Sequence, residues 1–118
     1  MRASRAEIKI QEILEMNNIP FEMEYTFPDL RTSKGIPLRF DFALFDDDGK
    51  IQSLIEYQGR QHYEAVSKFG GYKGYYQQKH NDDMKRRYCF LHNIPLIEIP
   101  YTDENKISYD YIIQKTGY

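Results

Sequence analysis

Several features are scarce or missing in this chain of 118 residues. It contains a single cysteine, Cys89, and no tryptophan. A lone cysteine excludes an internal disulfide, which fits a reducing compartment. The sequence has no apolar run long enough to span a bilayer and no signal peptide, so we expect neither a membrane span nor secretion by that route. These absences predict a cytoplasmic protein.

Motifs for several kinds of chemistry are also missing. The sequence has no His/Cys cluster with zinc spacing, no phosphate-binding glycine loop after a strand and no Gly-x-Ser-x-Gly. It has no helix-turn-helix or zinc finger for reading DNA sequence. Asp46-Asp47-Asp48-Gly49 begins like a calcium loop but lacks its spacing and closing glutamate, and therefore indicates an Asp-Gly hairpin turn.

Charge is distributed unevenly along the chain. The net charge of −2 argues against a general polyanion binder. The segment 59–87, however, has seven basic and three acidic residues, a balance of +4 that leaves −6 for the remainder. An anionic substrate would be attracted to this segment.

The apolar residues are spaced as in a single α/β domain over 1–118, with a mixed sheet of about four strands flanked by helices. Ser4 and Glu7 have capping-box spacing at the start of a first helix whose stripe extends towards Met16. We expect a strand at 21–27, a polar loop over 30–37 and an Asp-Gly hairpin that pairs 38–45 with 51–58. A long loop over 64–76 should follow, and then a helix over 77–92 with Met84, Tyr88 and Leu91 on one face. A strand at 96–99 and a short last helix near 107–112 complete the predicted elements. Alternation in 38–45 predicts Leu38, Phe40, Phe42 and Leu44 on one face of the sheet.

Polar residues gather where the strand 51–58 ends. Alternation places Glu56 and Gln58 on one face, and His62 follows the strand. Asp41 is an acid in mid-strand, which calls either for an ion pair, with Arg39 or Lys50, or for a metal. The hairpin brings Asp41 to the same end of the sheet as Glu56.

These oxygen ligands suit Mg²⁺, with Mn²⁺ as an alternative. A histidine beside such a metal is placed to deprotonate a water for attack on phosphorus. The loop 64–76 is either a plain mobile loop or a lid that faces DNA. As DNA contacts we expect Arg60, Lys68, Tyr72, Lys73 and Lys34.

Two motifs carry a resemblance to a known family. Arg39-Phe40-Asp41-Phe42, followed by Ile55-Glu56-Tyr57-Gln58-Gly59-Arg60-Gln61-His62-Tyr63, resembles the very-short-patch-repair-like branch of the PD-(D/E)xK nuclease superfamily. That branch includes catalytic domains of phage homing endonucleases, and the similarity continues through 81–101. It implies a restriction-endonuclease-like sandwich that cuts double-stranded DNA with Mg²⁺, as a catalytic domain in a phage-encoded or bacterial protein.

The resemblance also implies roles for individual residues. The helix-borne acid of the family falls on Glu7, whose alternative is the capping role. The metal-binding acid falls on Asp41, joined by the backbone carbonyl of Tyr57. His62 takes the place of the water-activating histidine, with Gln61 as its variable neighbour. Asp82 takes that of the last acid, although Asp82 and Lys85 also have the spacing of an ordinary helix pair.

One departure from the superfamily pattern concerns its usual Glu-x-Lys. Here Gln58 replaces that lysine, so the positioning of water passes to His62, and Glu56 either binds metal or packs structurally. Gln58 and Lys85 are expected to support the site. A lone acidic domain should bind DNA loosely, so we expect a recognition module elsewhere in a longer protein or on a partner.

Three alternatives to a homing-type endonuclease remain open. One is a catalytically inactive relative that only binds DNA, although the presence of both Asp41 and His62 speaks against this. Another is a repair endonuclease that nicks at mismatches. A protein-interaction module that uses the Tyr-rich loop is the third alternative, and it predicts no nucleic-acid affinity and no metal effect.

Overall fold

A computed structural model of the chain describes residues 4–60, 63–65, 67 and 70–118. Its elements occur in the predicted order: α1 (Arg5–Met16), β1 (Phe21–Arg31), β2 (Pro37–Phe45), β3 (Ile51–Gln58), α2 (Gly71–Leu91), β4 (Leu96–Pro100), a short 3₁₀ helix (Tyr101–Lys106) and α3 (Tyr109–Thr116). The four strands form one sheet in the order β1-β2-β3-β4. β3 and β4 are parallel and the other neighbours are antiparallel, so the predicted mixed sheet is confirmed.

Helices cover both faces of this sheet. On one face, α1 and α3 bury an apolar cluster against the strands, and Ala6, Ile10, Leu14 and Ile112 are its fully buried helical members. On the other face, α2 packs against a second cluster that includes Leu54 and Cys89. Within the described residues no helix is long and apolar enough to cross a membrane.

The first helix begins as its sequence predicts. Ser4 Oγ accepts from the backbone N–H of Glu7 at 3.1 Å, and Glu7 Oε1 accepts from the N–H of Ser4 at 3.3 Å. These bonds form a complete capping box, so the capping role of Glu7 is confirmed. Met16, in contrast, is 82% exposed and lies outside the predicted apolar stripe.

Two boundaries differ from the prediction. β1 continues to Arg31 instead of ending at Phe27, because Leu30 is buried in the cluster under α2. α2 begins at Gly71 rather than Gln77, so Tyr72 and Lys73 belong to a helix and the predicted loop or lid is wrong over 71–76. Glycine is a poor helix former, and the frequent glycines of this segment therefore led to the prediction of a loop where the first two turns of α2 lie.

Gly70 explains how the chain enters α2. Its φ is +93°, in the left-handed region that favours glycine, and a Cβ there would lie 3.2 Å from Gly74 Cα. The N–H of Gly74 donates to the carbonyl of Gly70 at 3.2 Å. The glycines therefore provide a close turn into the helix instead of a flexible loop.

Side chains of β2 do not keep to one face. Leu38 and Phe40 pack in the cluster under α2, whereas Phe42 and Leu44 pack under α1 and α3. The predicted single face is therefore wrong, and the change of face falls at Asp41. Glu24 on the neighbouring strand has a φ of +52°, in the left-handed region, and lies between the two residues of β1 that pair with Phe42 and Phe40.

Candidate active site at a fork in the sheet

The two central strands, β2 and β3, separate in the middle of the sheet. The pairing of β2 with β3 runs from Phe45↔Ile51 to Phe42↔Ile55 within the described residues. Beyond that point β2 remains paired with β1, and β3 remains paired with β4, including the pair Glu56↔Glu98. The result is a fork in the sheet, with Asp41 on one arm and Glu56 on the other.

Asp41 bridges the two arms of the fork. Its Oδ2 accepts from the backbone N–H of Tyr57 at 2.7 Å, which replaces a ladder bond with a side-chain bond. Its carboxyl group also shares a hydrogen bond with the carboxyl of Glu56. Arg39 pairs with Glu24 at 3.2 Å. The mid-strand acid is thus held by a backbone N–H and a second carboxyl, and the expected pairing with Arg39 or Lys50 is wrong.

Glu56 is the buried member of this carboxyl pair, with 7% of its surface exposed. Lys85 of α2 forms an ion pair with Glu56 Oε1 and is itself largely buried. Burial, followed by the nearby charge of Asp41, raises the pKa of Glu56 to about 8, although Lys85 opposes this shift. Near neutral pH, Glu56 therefore keeps its proton beside the ammonium of Lys85.

This charge balance decides what the fork can bind. Loss of the proton from Glu56 adds a negative charge to this buried place, next to the carboxyl group of Asp41. Adjacent carboxylate oxygens are hard ligands of the kind Mg²⁺ prefers, completed by water and substrate phosphate. Within the described residues no group of three or more His, Cys, Asp or Glu side chains is assembled for a metal. Asp41 and Glu56 fit a metal that takes few protein ligands, and Mg²⁺ is such a metal.

A second polar layer follows along β3. Gln58 is buried, donates from Nε2 to Glu98 Oε1 and accepts at Oε1 from the hydroxyl of Tyr63 at 2.8 Å. Arg86 of α2 donates to both oxygens of Glu98, at 2.8 and 2.9 Å. Gln58 is therefore held between Glu98 and Tyr63, and its supporting role in the site stays a prediction.

Sequence reasoning missed three residues of this layer: Glu98, Arg86 and Tyr63. A signal for Glu98 was present, because it is an acid in an apolar strand just as Asp41 is. The parallel pairing Glu56↔Glu98 places both acids on the α2 face. No pattern in the sequence indicated that α2 would supply the matching cations.

The predicted catalytic acids lie on different elements. Glu7 caps α1, and its charge contributes to the raised pKa of the Tyr57 phenol, which burial and Glu104 bring to about 12. Asp82 of α2 is buried and accepts from Gln78 Nε2 at 3.0 Å. Lys85, one turn later, pairs with Glu56, so Asp82 and Lys85 are not the simple surface pair of the alternative interpretation.

The remaining predicted residues fall into two groups. His62, Gln61 and Lys68 lie outside the described residues, so their roles stay predictions. The other residues predicted to contact DNA are exposed: Arg60, which pairs with Glu64 at 2.6 Å, Tyr72 and Lys73 in the first turn of α2, and Lys34 in the turn between β1 and β2. The carbonyl of Tyr57 as a metal ligand also stays a prediction.

Comparison with known proteins gives two viral relatives. The chain is 50% identical over 54 residues to "Uncharacterized protein 094L" of Frog virus 3 (isolate Goorha), a match that covers 44% of the chain and 35% of that protein. It is 38% identical over 63 residues to "Uncharacterized protein 307L" of Invertebrate iridescent virus 6, covering 52% of the chain and 32% of that protein. The chain thus spans about a third of these relatives. No protein-family model and no solved structure matches it.

Proposed function

We propose that this chain is a metal-dependent DNA endonuclease domain of the very-short-patch-repair-like branch of the PD-(D/E)xK superfamily. The observation that carries the proposal is the fork, where the carboxyls of Asp41 and Glu56 are in contact beside the ammonium of Lys85. Glu56 is buried and Asp41 is partly buried, and two neighbouring carboxylates in such a place are costly unless they bind a cation. The homing-endonuclease context is part of the same proposal and follows from the resemblance.

Each part of the cluster has a role in phosphodiester hydrolysis. Asp41 would hold Mg²⁺ together with the Tyr57 carbonyl, and the bound cation supplies positive charge to the phosphate and the leaving oxygen. His62 would accept the proton of a water as its oxygen bonds to phosphorus and the bond from phosphorus to the leaving oxygen breaks. The backbone N–H of Tyr57 keeps Asp41 in position throughout.

Lys85 resolves the departure from the superfamily pattern. The position of the usual lysine is occupied by Gln58, which is used in bonds to Glu98 and Tyr63. Lys85 instead brings an ammonium to Glu56 from α2. The site thereby has two carboxylates and a lysine although the Glu-x-Lys spacing is missing, which supports an active enzyme over an inactive relative.

The charge of α2 supports DNA as the substrate. Exposed basic residues follow the helix from Lys73 through Lys79 to Arg87, in the segment whose balance is positive. Exposed cations of this kind attract a phosphate backbone without reading its sequence. They lie on the same helix that supplies Lys85 to the fork.

Nicking of supercoiled plasmid tests the proposal. With Mg²⁺ the wild type should nick, and with EDTA it should not. Asp41→Asn should reduce nicking at least about a hundredfold, because several kcal/mol of metal stabilisation are lost. The asparagine oxygen can still accept from the Tyr57 N–H, so the fold should survive. Asp47→Asn, the same change at an exposed position of the β2–β3 turn, is the matched control.

Melting temperatures on the same proteins complete the test. Mg²⁺ or Mn²⁺ should raise the melting temperature of the wild type and of Asp47→Asn but not of Asp41→Asn. Equal nicking by Asp41→Asn and Asp47→Asn would reject the proposal. DNA binding without any cleavage would identify an inactive relative, and cleavage confined to mismatched duplex would identify a repair enzyme. Neither DNA binding nor a metal effect would indicate a protein-interaction module.

A further inference from the structure

A cleft lies between α2 and the turn that joins β1 to β2. We call the segment 32–36 the β1–β2 turn and this space, of about 380 Å³, the turn cleft. Residues of the turn form one wall, Gln77 and Asn81 of α2 form the other, and Leu38 lies between them. Leu38 precedes Asp41 on β2, and Asn81 lies one helical turn before Lys85. The turn cleft is therefore formed by the same two elements, β2 and α2, that supply Asp41 and Lys85 to the fork.

The β1–β2 turn is held rigidly by its own hydrogen bonds. Arg31 donates to the carbonyls of Pro28 and Gly35, both at 2.9 Å. The N–H of Thr32 donates to the carbonyl of Ile36 at 2.9 Å, and the N–H of Gly35 donates back to Thr32 at 2.9 Å. The backbone of the turn is thus ordered before any ligand arrives, which reduces the entropy cost of binding.

The side chains on this turn are nevertheless exposed. Lys34 extends from the turn into solvent, and Ile36 is 58% exposed beside the cleft. An apolar side chain next to a cation, both on a rigid turn, matches two chemical features of a nucleic-acid strand. The cation suits a phosphate, and the branched apolar group suits the face of a deoxyribose.

The opposite wall offers neutral hydrogen-bonding groups. Gln77 Nε2 donates to Asn81 Oδ1 at 3.1 Å, which aligns the two amides along the cleft. Among the described residues that line the cleft none is acidic, and Thr32 and Ser33 add hydroxyls. Another surface depression, near the C-terminal Tyr118, is lined by Asp46 and Asp47 and would repel a phosphate. The turn cleft therefore suits an anionic, hydrogen-bonding ligand.

We infer that the turn cleft holds the sugar–phosphate backbone of one DNA strand next to the phosphate that is cut. Lys34 contacts a phosphate, Ile36 packs on a deoxyribose, and the amide of Asn81 donates to a phosphate oxygen. This inference rests on the proposed function for the identity of the ligand as DNA. It assigns a substrate-binding role to the β1–β2 turn, whose hydrogen bonds otherwise only brace an exposed loop.

Binding of a labelled DNA duplex to the Asp41→Asn chain in EDTA tests this inference without cleavage. Lys34→Ala in that background should weaken binding at every sequence and lower the salt dependence by about one phosphate contact. Asn81→Ala should weaken binding with the salt slope unchanged, because an amide carries no charge. Lys50→Ala, an exposed lysine of the β2–β3 turn, is the matched control and should bind as the parent does.

The outcomes separate this inference from the proposed nuclease. If Lys34→Ala binds DNA as tightly as Lys50→Ala does, the inferred role of the turn cleft is overturned, even if the wild type nicks plasmid. Binding that is sensitive to Lys34 and Asn81 in a chain that never cleaves would support the cleft and reject only the catalysis. A parent chain without affinity for DNA at low salt would overturn both.

Discussion

The two faces of the sheet are built differently. Under α1 and α3, the buried cluster is apolar and includes Leu44 and Ile99; Thr116 of α3 is buried as well, but no acid or base of these two helices is. Under α2, an apolar region around Leu54 gives way to buried polar groups, of which Glu56 and Gln58 lie on β3. One face thus resembles an ordinary core, and the other is an ordinary core for only part of its area.

This difference indicates on which face of the sheet the chain has lower folding stability because it buries ionisable groups. Burial of ionisable groups costs several kcal/mol for each ion unless partners compensate it. On the α2 face Lys85 and Arg86 supply those partners, to Glu56 and Glu98 respectively. A protein selected for stability alone would be expected to use apolar residues at such positions. The comparison therefore predicts that variants of the α2 face affect charge and activity, whereas variants of the α1 face affect the fold.

The largest stability effect should come from breaking the buried ion pair. Lys85→Met leaves two contacting carboxyls without a cation, and we expect a loss of about 3–5 kcal/mol in the free energy of unfolding. Glu56→Leu combined with Lys85→Met should recover most of this loss, because an apolar pair needs no compensation. Chemical denaturation measures both. A double variant as unstable as the single one would show that Lys85 contributes through packing and not through charge.

A somewhat smaller effect is expected from the apolar face. Leu14 of α1 is fully buried, so Leu14→Ala should cost about 2–5 kcal/mol through lost burial and a cavity. Met16→Ala on the same helix should change the free energy of unfolding by less than about 0.5 kcal/mol. Nicking per folded molecule should be unchanged in both variants. Lost nicking in a folded Leu14→Ala protein would contradict the division between the two faces.

The smallest effect concerns pH. Because the pKa of Glu56 is raised to about 8, the folded chain keeps a proton that the unfolded chain releases above its ordinary value of 4.5. Stability should therefore fall as pH rises between those values, by about 1 kcal/mol from pH 6 to pH 7 in EDTA. Glu56→Gln should show a flatter dependence. Parallel pH profiles for the two proteins would show that Glu56 does not hold this proton.

Local patterns predicted much of the fold. The capping box at Ser4 and Glu7, the Asp-Gly turn and the alternation of β3 each depend on neighbouring residues, and all three are present. The same alternation failed on β2, where the faces change at Asp41, because a change of face reflects how neighbouring strands twist and part. Helix propensity also failed at Gly71, where glycines serve the close turn at the start of α2.

The candidate site was predicted in part for the same reason. Asp41 and Glu56 lie on strands joined by a short hairpin, so their proximity follows from the turn alone. Lys85 is separated from Glu56 by 29 positions, and Arg86 reaches Glu98 from a helix that could have packed in several rotations. Sequence spacing on α2 suggested a surface pair of Asp82 and Lys85, and packing against the sheet decided otherwise.

By itself, the sequence determined the order of the helices and strands, the hairpin that brings Asp41 towards Glu56, and the positive balance of the segment that contains α2. Short-range geometry and composition are sufficient for each of these. Only the tertiary structure decided that β2 and β3 part beyond Phe42 and that Asp41 takes the N–H of Tyr57. It also decided which cation meets each buried acid, because that depends on how α2 lies across the sheet and on the dielectric environment that its packing creates.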